Sequence, residues 1–220
     1  MMSRRATALG GYSGGAGMHM RKEQAMAAAV TSTVRSPINI QRWVQEHADQ
    51  LKPPVSNKYL YRGKDFFVMV IGGPNARNDF HKTNSEEYFY QFKGDVCVST
   101  IEDGKTVHHV IREGETFFIP PNVPHAPQRP PGTIGIVVER NRPAGETEHQ
   151  QFYCPQCDAL VWDEEFDCKD IVEHFAASME AFWADKERST CANCGTHIGK
   201  PAPVARLETE PVVRIVREGD

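Results

Sequence analysis

The sequence predicts an all-β fold, an antiparallel sandwich or barrel, for residues 37–150. Three observations point there. Short β-rich runs recur along this stretch, Gly-, Asp- and Asn-containing turn signals separate them, and no long helical periodicity interrupts them.

The elements follow in order. After Pro37, Ile38 to Val44 leads into a short amphipathic helix that ends before Pro53-Pro54, where the chain cannot continue helically. Strand-like runs then span Phe66 to Ile71, Glu87 to Phe92, Val96 to Ile101, Thr106 to Ile111, Thr116 to Ile119 and Ile134 to Glu139. Between them stand Gly72-Gly73-Pro74-Asn75, Lys93-Gly94-Asp95, Glu102-Asp103-Gly104 and Glu113-Gly114-Glu115. Near Gln150 the texture changes. Ile171, Val172, Phe175, Met179, Phe182 and Trp183 recur at helical spacing, as the core-facing side of a helix does. Residues 151–200 read as a small appendage stapled by a metal rather than by a core of its own, and 201–220 as a C-terminal tail.

The chain has 220 residues and a mass of 24.7 kDa, room for one good-sized domain with a small satellite. Forty per cent hydrophobic and 25% charged residues, with a mean hydropathy of −0.51, describe an ordinary globular composition. No apolar run approaches the roughly 18–20 residues of a membrane span. With a net charge of −4 and no basic stripe, nucleic acid is not the expected partner.

Residues 1–36 hold Arg4, Arg5, Arg21, Lys22 and Arg35 against Glu23 alone, leaving 20 basic and 28 acidic residues for 37–220. This glycine- and alanine-rich leader has too little apolar surface to offset its ordering entropy, so it is expected to be poorly ordered. Its composition suits an organellar transit peptide. Met18, Met20 and Met26 favour the plainer reading, an upstream start codon.

Four of the six cysteines form two Cys-x2-Cys pairs, Cys154/Cys157 and Cys191/Cys194. Each short knuckle offers two sulfurs from one loop, so four thiolates can converge tetrahedrally on one ion. Disulfides are the competing reading. Against them, no secretory leader is evident, and Cys97 and Cys168 lie apart from the pairs. A metal site implies a reducing, cytoplasmic setting. Iron and zinc both suit four thiolates.

His81 and His125 stand at the ends of strand-like runs, where side chains turn toward the mouth of a barrel. With Glu87 they make a two-His, one-carboxylate set, which leaves open positions on an Fe(II) ion for an organic substrate and O2. Each histidine alone is as readily a surface residue. Adjacent strand residues face opposite sides, so only one of Glu86 and Glu87 can point at the ion. Asp79 shares the parity of His81, as an inward partner or as an outward charge. His108, His109, His149, His174 and His197 read as non-ligands.

The Gly-x5-Pro-x4-His stretch from Gly114 through Pro120 to His125, with Gly94 and the His-x5-Glu spacing, resembles the two motifs of the cupin superfamily. Gly72 to Asn75, Arg77, Glu86 to Gln91, Pro124 to Pro130 and Val138 to Arg140 resemble the 3-hydroxyanthranilate 3,4-dioxygenase family, from about Ile38 to about Gly199. The resemblance implies a cupin-type jelly-roll barrel in a homodimer, with a second, rubredoxin-like iron site in the trailing segment. It implies opening of the ring of 3-hydroxyanthranilate by O2 to 2-amino-3-carboxymuconate semialdehyde, which cyclises to quinolinate on the way to NAD. By matching positions, His81, Glu87 and His125 hold the catalytic Fe(II), with Glu87 favoured over Glu86. Arg129 and Glu139 match the substrate-binding pair, Arg77 the residue beside O2, and Cys154, Cys157, Cys191 and Cys194 the second metal's ligands.

The chemistry is consistent with those roles. The planar guanidinium of Arg129 suits a ring carboxylate, bonded twice in one plane. Arg77 supplies positive charge where oxygen is reduced, and Glu139 accepts a proton or hydrogen bond from the ring amine or hydroxyl. Two rival functions are a non-catalytic cupin that binds a small aromatic acid and an electron carrier built on the four cysteines. The second leaves the barrel triad unexplained.

Overall fold

The computed structural model describes residues 34–51, 56–167, 171–210 and 212–220. Most of the predicted leader, and Cys168, lie outside the described residues. Residues 38–220 form one compact unit.

Helix α1 (Ile40–Glu46) starts at Asn39, whose side chain accepts from the Arg42 amide at 2.9 Å and so satisfies a free N–H of the first turn. A 3-10 turn (Ala48–Gln50) follows. Ile40, Trp43 and Val44 pack against Leu51, Val70 and Ile134, so the short helix is held by tertiary contact.

Eleven of the strands build two antiparallel sheets. The first contains β1 (Asn57–Arg62), β2 (Phe66–Gly72), β9 (Ile134–Arg140), β4 (Glu87–Lys93) and β7 (Thr116–Ile119), in that spatial order. The second runs β11 (Leu160–Asp167), β10 (Thr147–Tyr153), β3 (Asp79–Lys82), β8 (His125–Gln128), β5 (Val96–Glu102) and β6 (Lys105–Ile111). Phe89, Ile119 and Val137 of the first sheet pack with Val96, Val98 and Ile111 of the second. Each buried aliphatic or aromatic side chain of this kind stabilises by about 1.5–3 kcal/mol relative to exposure. The result is the double-sheet jelly roll expected from the sequence.

The six anticipated strands appear within one or two residues of their predicted ends. The β5–β6 hairpin turns at Asp103 (φ 48°) and Gly104 (φ 74°), the two left-handed positions that an Asp-Gly pair supplies. Several strands were not anticipated, and each lacks an apolar alternation. Strand β3 has four residues, β8 contains Pro127, and β10 carries Glu148, Gln150 and Gln151 buried. On these three strands Asp79, His81, His125, Glu148 and Gln150 turn polar groups inward, while Phe152 joins an apolar cluster. The chain passes residue 150 inside β10, so residues 151–153 and β11 are part of the second sheet.

Helix α2 (Ile171–Ala184) fills the predicted helical stripe. Phe182 stacks on Phe152 of β10 at 3.7 Å between ring centroids, with Ile198 completing the cluster. The tail is ordered as a hairpin, β12 (Val204–Glu208) paired with β13 (Arg214–Arg217). Among the described residues no helix is long and apolar enough to cross a membrane.

Candidate active site

Three polar side chains from the two sheets converge beside the apolar core. His81 of β3 and His125 of β8 are Cα partners across the second sheet. Glu87, the first residue of β4, reaches them from the first sheet. His81 Nδ1 lies 3.2 Å from Glu87 Oε1, and His125 Nε2 lies 3.2 Å from Glu87 Oε2. All three are buried, and their ligand-type atoms lie within 4.8 Å of one another. The Val123 carbonyl, 3.0 Å from His125 Nδ1, fixes the tautomer that leaves Nε2 free as a lone-pair donor. Strand alternation decides the adjacent glutamates, since Glu86 is exposed and Glu87 is buried.

Two further carboxylates converge here. Glu139 of β9 is the Cα partner of Glu87. Burial and the Glu87 charge push its carboxyl up to about 7, against the pull of Arg142. Glu148 of β10 lies diagonally across from His81 on the same face. Burial opposes its ionisation, but His81 and Arg142 bring it down to about 2. Burial lowers and Glu148 and Glu87 raise His81, which ends at about 9, and Glu87 lies well below the usual carboxylate range because both histidines outweigh its burial.

This donor set fits a divalent cation. Two imidazoles and a carboxylate face one point, and Glu87 Oε1 has no hydrogen-bond partner. Arg142 pairs with Glu139 and Glu148, whereas Glu87 faces the two imidazoles, so with neutral histidines the Glu87 carboxylate leaves a surplus of negative charge in the cluster. Such a surplus is costly to bury and is what a divalent ion offsets.

The triad lies at the base of a pocket of about 460 Å³, also lined by Arg77, Arg129 and Glu139. Arg129 is 1% exposed, with a single side-chain hydrogen bond, Nη1 to Gln91 Oε1 at 3.3 Å. Its Nε and Nη2 have none. Burial alone brings this guanidinium down to about 10. A buried guanidinium facing a pocket, with Nε and Nη2 unbonded, has the donors to receive an anion, and its fork geometry matches a carboxylate. Gly135 of β9 makes room for it. A Cβ there would meet Nη1 at 2.6 Å and Nη2 at 2.8 Å.

Asp79 is fully buried and inward. It accepts from Arg77 Nε at 2.8 Å and Nη2 at 2.6 Å, and from Gln150 Nε2 at 2.8 Å. Arg77 is thereby held as a cation beside the pocket, 5.5 Å from the Phe175 ring. Phe175, Met179 and Trp183 of α2 line the pocket too, so the predicted core stripe also walls the site. The C-terminal hairpin completes the surround. Arg217 donates to the Arg77 carbonyl at 3.2 Å and to Gln128 Oε1 at 3.0 Å.

The four cysteines form a separate cluster. Cys154 and Cys194 sulfurs are 3.5 Å apart, Cys157 and Cys191 3.7 Å, and Cys157 and Cys194 3.6 Å. A disulfide would need about 2.05 Å. Four ligands at about 2.3 Å around one tetrahedral ion have edges near 3.8 Å, so the spacing is that of a metal site. Each knuckle turns at a left-handed residue, Asp158 (φ 59°) and Gly195 (φ 77°), which lets the amide bond back to the first cysteine's carbonyl. His197 Nδ1 instead faces Ser189 Oγ at 3.2 Å. His108, His109, His149 and His174 face Ser99, Glu102, Asp163 and Glu164 respectively.

Sequence reasoning missed Glu148, Arg142, Gln91 and Arg217. Nothing in a polar segment such as Thr147-Glu148-His149-Gln150 signals burial until a neighbouring strand is known.

The double-sheet jelly roll and the His/Glu/His group lining its pocket define the class, a jelly-roll protein with a metal-capable centre and a separate four-cysteine cluster. The chain belongs to the 3-hydroxyanthranilic acid dioxygenase family, whose model matches residues 32–183. It is 46% identical over 160 residues to the 3-hydroxyanthranilate 3,4-dioxygenase of Candida albicans, covering 73% of this chain and 93% of that one. It is 47% identical over 167 residues to the enzyme of that name from Shewanella woodyi, covering 75% and 88%. A crystal structure of a cupin-2 domain protein from Shewanella frigidimarina matches at TM-score 0.39 and 15% identity, covering 47% of this chain and 94% of that one.

Proposed function

We propose that this protein opens the ring of 3-hydroxyanthranilate with O2, using Fe(II) held by His81, Glu87 and His125, to give 2-amino-3-carboxymuconate semialdehyde. Both oxygen atoms enter the product, so no further reductant is needed. The observation that carries the reading is Arg129, a buried and unpaired guanidinium in the same pocket as the triad. A substrate with one carboxylate and an adjacent pair of metal-binding groups satisfies both ends at once.

Fe(II), when bound, would supply adjacent open positions for the substrate's hydroxyl and amine and for O2. The protein's own groups do the rest. Arg129 binds the carboxylate by two charge-assisted hydrogen bonds and sets the ring's orientation. Glu139, held near neutrality by burial and Glu87, takes up the proton that the ring hydroxyl or amine gives up. Arg77, held by Asp79, stabilises negative charge as oxygen is reduced. Phe175, Met179 and Trp183 exclude water from one side of the ring.

The four cysteines are assigned a structural metal, iron or zinc. Sulfur spacings of 3.5–3.7 Å, which suit a shared metal rather than disulfides, support a reducing, cytoplasmic setting. A homodimer is supported by the outer face of the first sheet, where Phe66, Tyr88 and Phe118 are 53%, 41% and 56% exposed and Tyr88 pairs across strands with Phe118.

The test combines metal analysis with O2 uptake after anaerobic loading with Fe(II). The expected result is stoichiometric O2 consumption with 3-hydroxyanthranilate and the ultraviolet absorption of the semialdehyde, lost in His125→Ala. Tight binding of the acid without O2 uptake would make the protein a non-catalytic cupin instead.

A further inference from the structure

Arg142 and Glu148 belong to no role described so far, yet Glu148 is buried beside the triad and Arg142 lies largely covered next to it. Arg142 follows β9 and is 9% exposed in its side chain; Glu148 is fully buried on β10. The Arg142 guanidinium bonds two carboxylates at once. Its Nη2 donates to Glu139 Oε2 at 2.7 Å, and its Nε donates to Glu148 Oε1. Its Nη1 donates to the Arg140 carbonyl at 3.1 Å, which fixes the fork against the backbone. The other oxygen of Glu148 faces the ring of His81, 3.3 Å from Nε2. The two imidazole nitrogens of His81 thus address different carboxylates, Nδ1 toward Glu87 and Nε2 toward Glu148.

We infer that Glu148 and Arg142 are positioning residues of the metal centre: Glu148 orients the His81 ring, and Arg142 clamps Glu148 to Glu139, tying the proposed ligand His81 to the substrate-side carboxylate. The inference rests on the proposed role of His81 as a ligand.

Three arguments support it. His81 Nε2 and Glu148 Oε2 are both buried with no aligned hydrogen bond, and they face each other, so a small rotation of either closes a bond that satisfies both. A histidine that gives one nitrogen to a metal needs an acceptor at the other, to fix its tautomer and raise its basicity. The network is also expensive. Each ion removed from water costs several kcal/mol, and packing alone would be served as well by apolar residues of similar volume. Arg142 meets that cost in part by serving two acids, and its stem is packed beside Phe67, 5.4 Å from the ring centroid.

The network also links the two halves of the proposed chemistry. Glu139 sits on the first sheet and Glu148 on the second, and Arg142 joins them at the end where β9 leads into β10. Loss of Arg142 therefore disturbs both metal retention and substrate handling, whereas loss of Glu148 acts through the metal.

Competition of Fe(II)-loaded protein with a chelator tests this, with protection of the cysteines from a thiol reagent reporting that the second site and the fold are intact. Glu148→Ala should weaken Fe(II) binding by about tenfold to a hundredfold, the range for an outer partner of a ligand histidine. Glu148→Gln should recover part of the loss, since its amide oxygen still accepts from the imidazole N–H. Arg142→Met should weaken Fe(II) binding and also raise KM for 3-hydroxyanthranilate, with Arg142→Lys intermediate. Wild-type affinity in both Glu148 variants, with His81→Ala losing the metal, would overturn the inference and leave the triad standing. Wild-type affinity in His81→Ala would overturn the metal reading itself, and the inference with it.

Discussion

Replacing Gly135 by alanine tests the carboxylate-binding role of Arg129 without touching Arg129. Gly135 lies in β9 between Ile71 of β2 and Gln91 of β4, at an extended position that alanine also adopts. The new Cβ would lie 2.6 Å from Nη1 and 2.8 Å from Nη2 of Arg129, and 3.0 Å from Gln91 Oε1. Ordinary contacts begin near 3.4 Å, so the guanidinium has to retreat by several tenths of an ångström. The backbone has no reason to move, because the atoms in the way are side-chain ends. A two-pronged hydrogen bond to a carboxylate tolerates little displacement, and its loss costs about 1.5–3 kcal/mol. Gly135→Ala should therefore lower kcat/KM for 3-hydroxyanthranilate by about tenfold to a hundredfold. Thermal stability should change little, since alanine is the better strand residue. The loss should be much smaller for 2-aminophenol, which keeps the hydroxyl and amine but lacks the carboxylate. Arg129→Ala should show the same pattern at larger amplitude. Steady-state kinetics on both substrates, beside a melting curve, make the measurement. Equal losses on the two substrates would mean that Arg129 serves the metal or O2 rather than the acid, and the reasoning would fail.

Two further predictions follow from the same geometry. In its proposed role Glu139 has to be ionised to take up a proton, and burial with the Glu87 charge raises it to about 7 before any cation is bound. A bound divalent ion lowers that value, so kcat/KM should fall as pH drops below neutrality, and Glu139→Gln should remove this acidic limb along with most of the activity. An unchanged limb in Glu139→Gln would assign the titration to another group. At the cysteine site, Cys154→Ser or Cys191→Ser should abolish the second metal and lower the melting temperature, because metal binding there is coupled to local folding. Ring cleavage should persist in the protein that stays folded; its loss despite retained Fe(II) at the triad would give the cysteine metal a redox role.

Much of this protein is legible from its sequence because local chemistry dictates it. Each Cys-x2-Cys knuckle presents two sulfurs from one tight turn, and Asp103-Gly104 turns a hairpin on its own conformational preference. Runs rich in β-branched and apolar residues between turn signals, such as Val96 to Ile101 between Gly94-Asp95 and Asp103-Gly104, announce strands. The motif spacing of His81, Glu87 and His125 marks them as candidate ligands, and the structure brings the three together, with Glu87 buried and Glu86 exposed. Other features required the tertiary structure. Strand β10 has no apolar pattern, because its inward residues Glu148 and Gln150 face a histidine and an aspartate on β3 rather than hydrocarbon. Asp79 could not be assigned a side until Arg77 and Gln150 were seen bonding to it. The tail became a hairpin whose Arg217 braces the Arg77 backbone. The cause is the same in each case. A buried polar residue is defined by its partners, and those partners are distant in the chain, so only the packed sheets decide which charges meet.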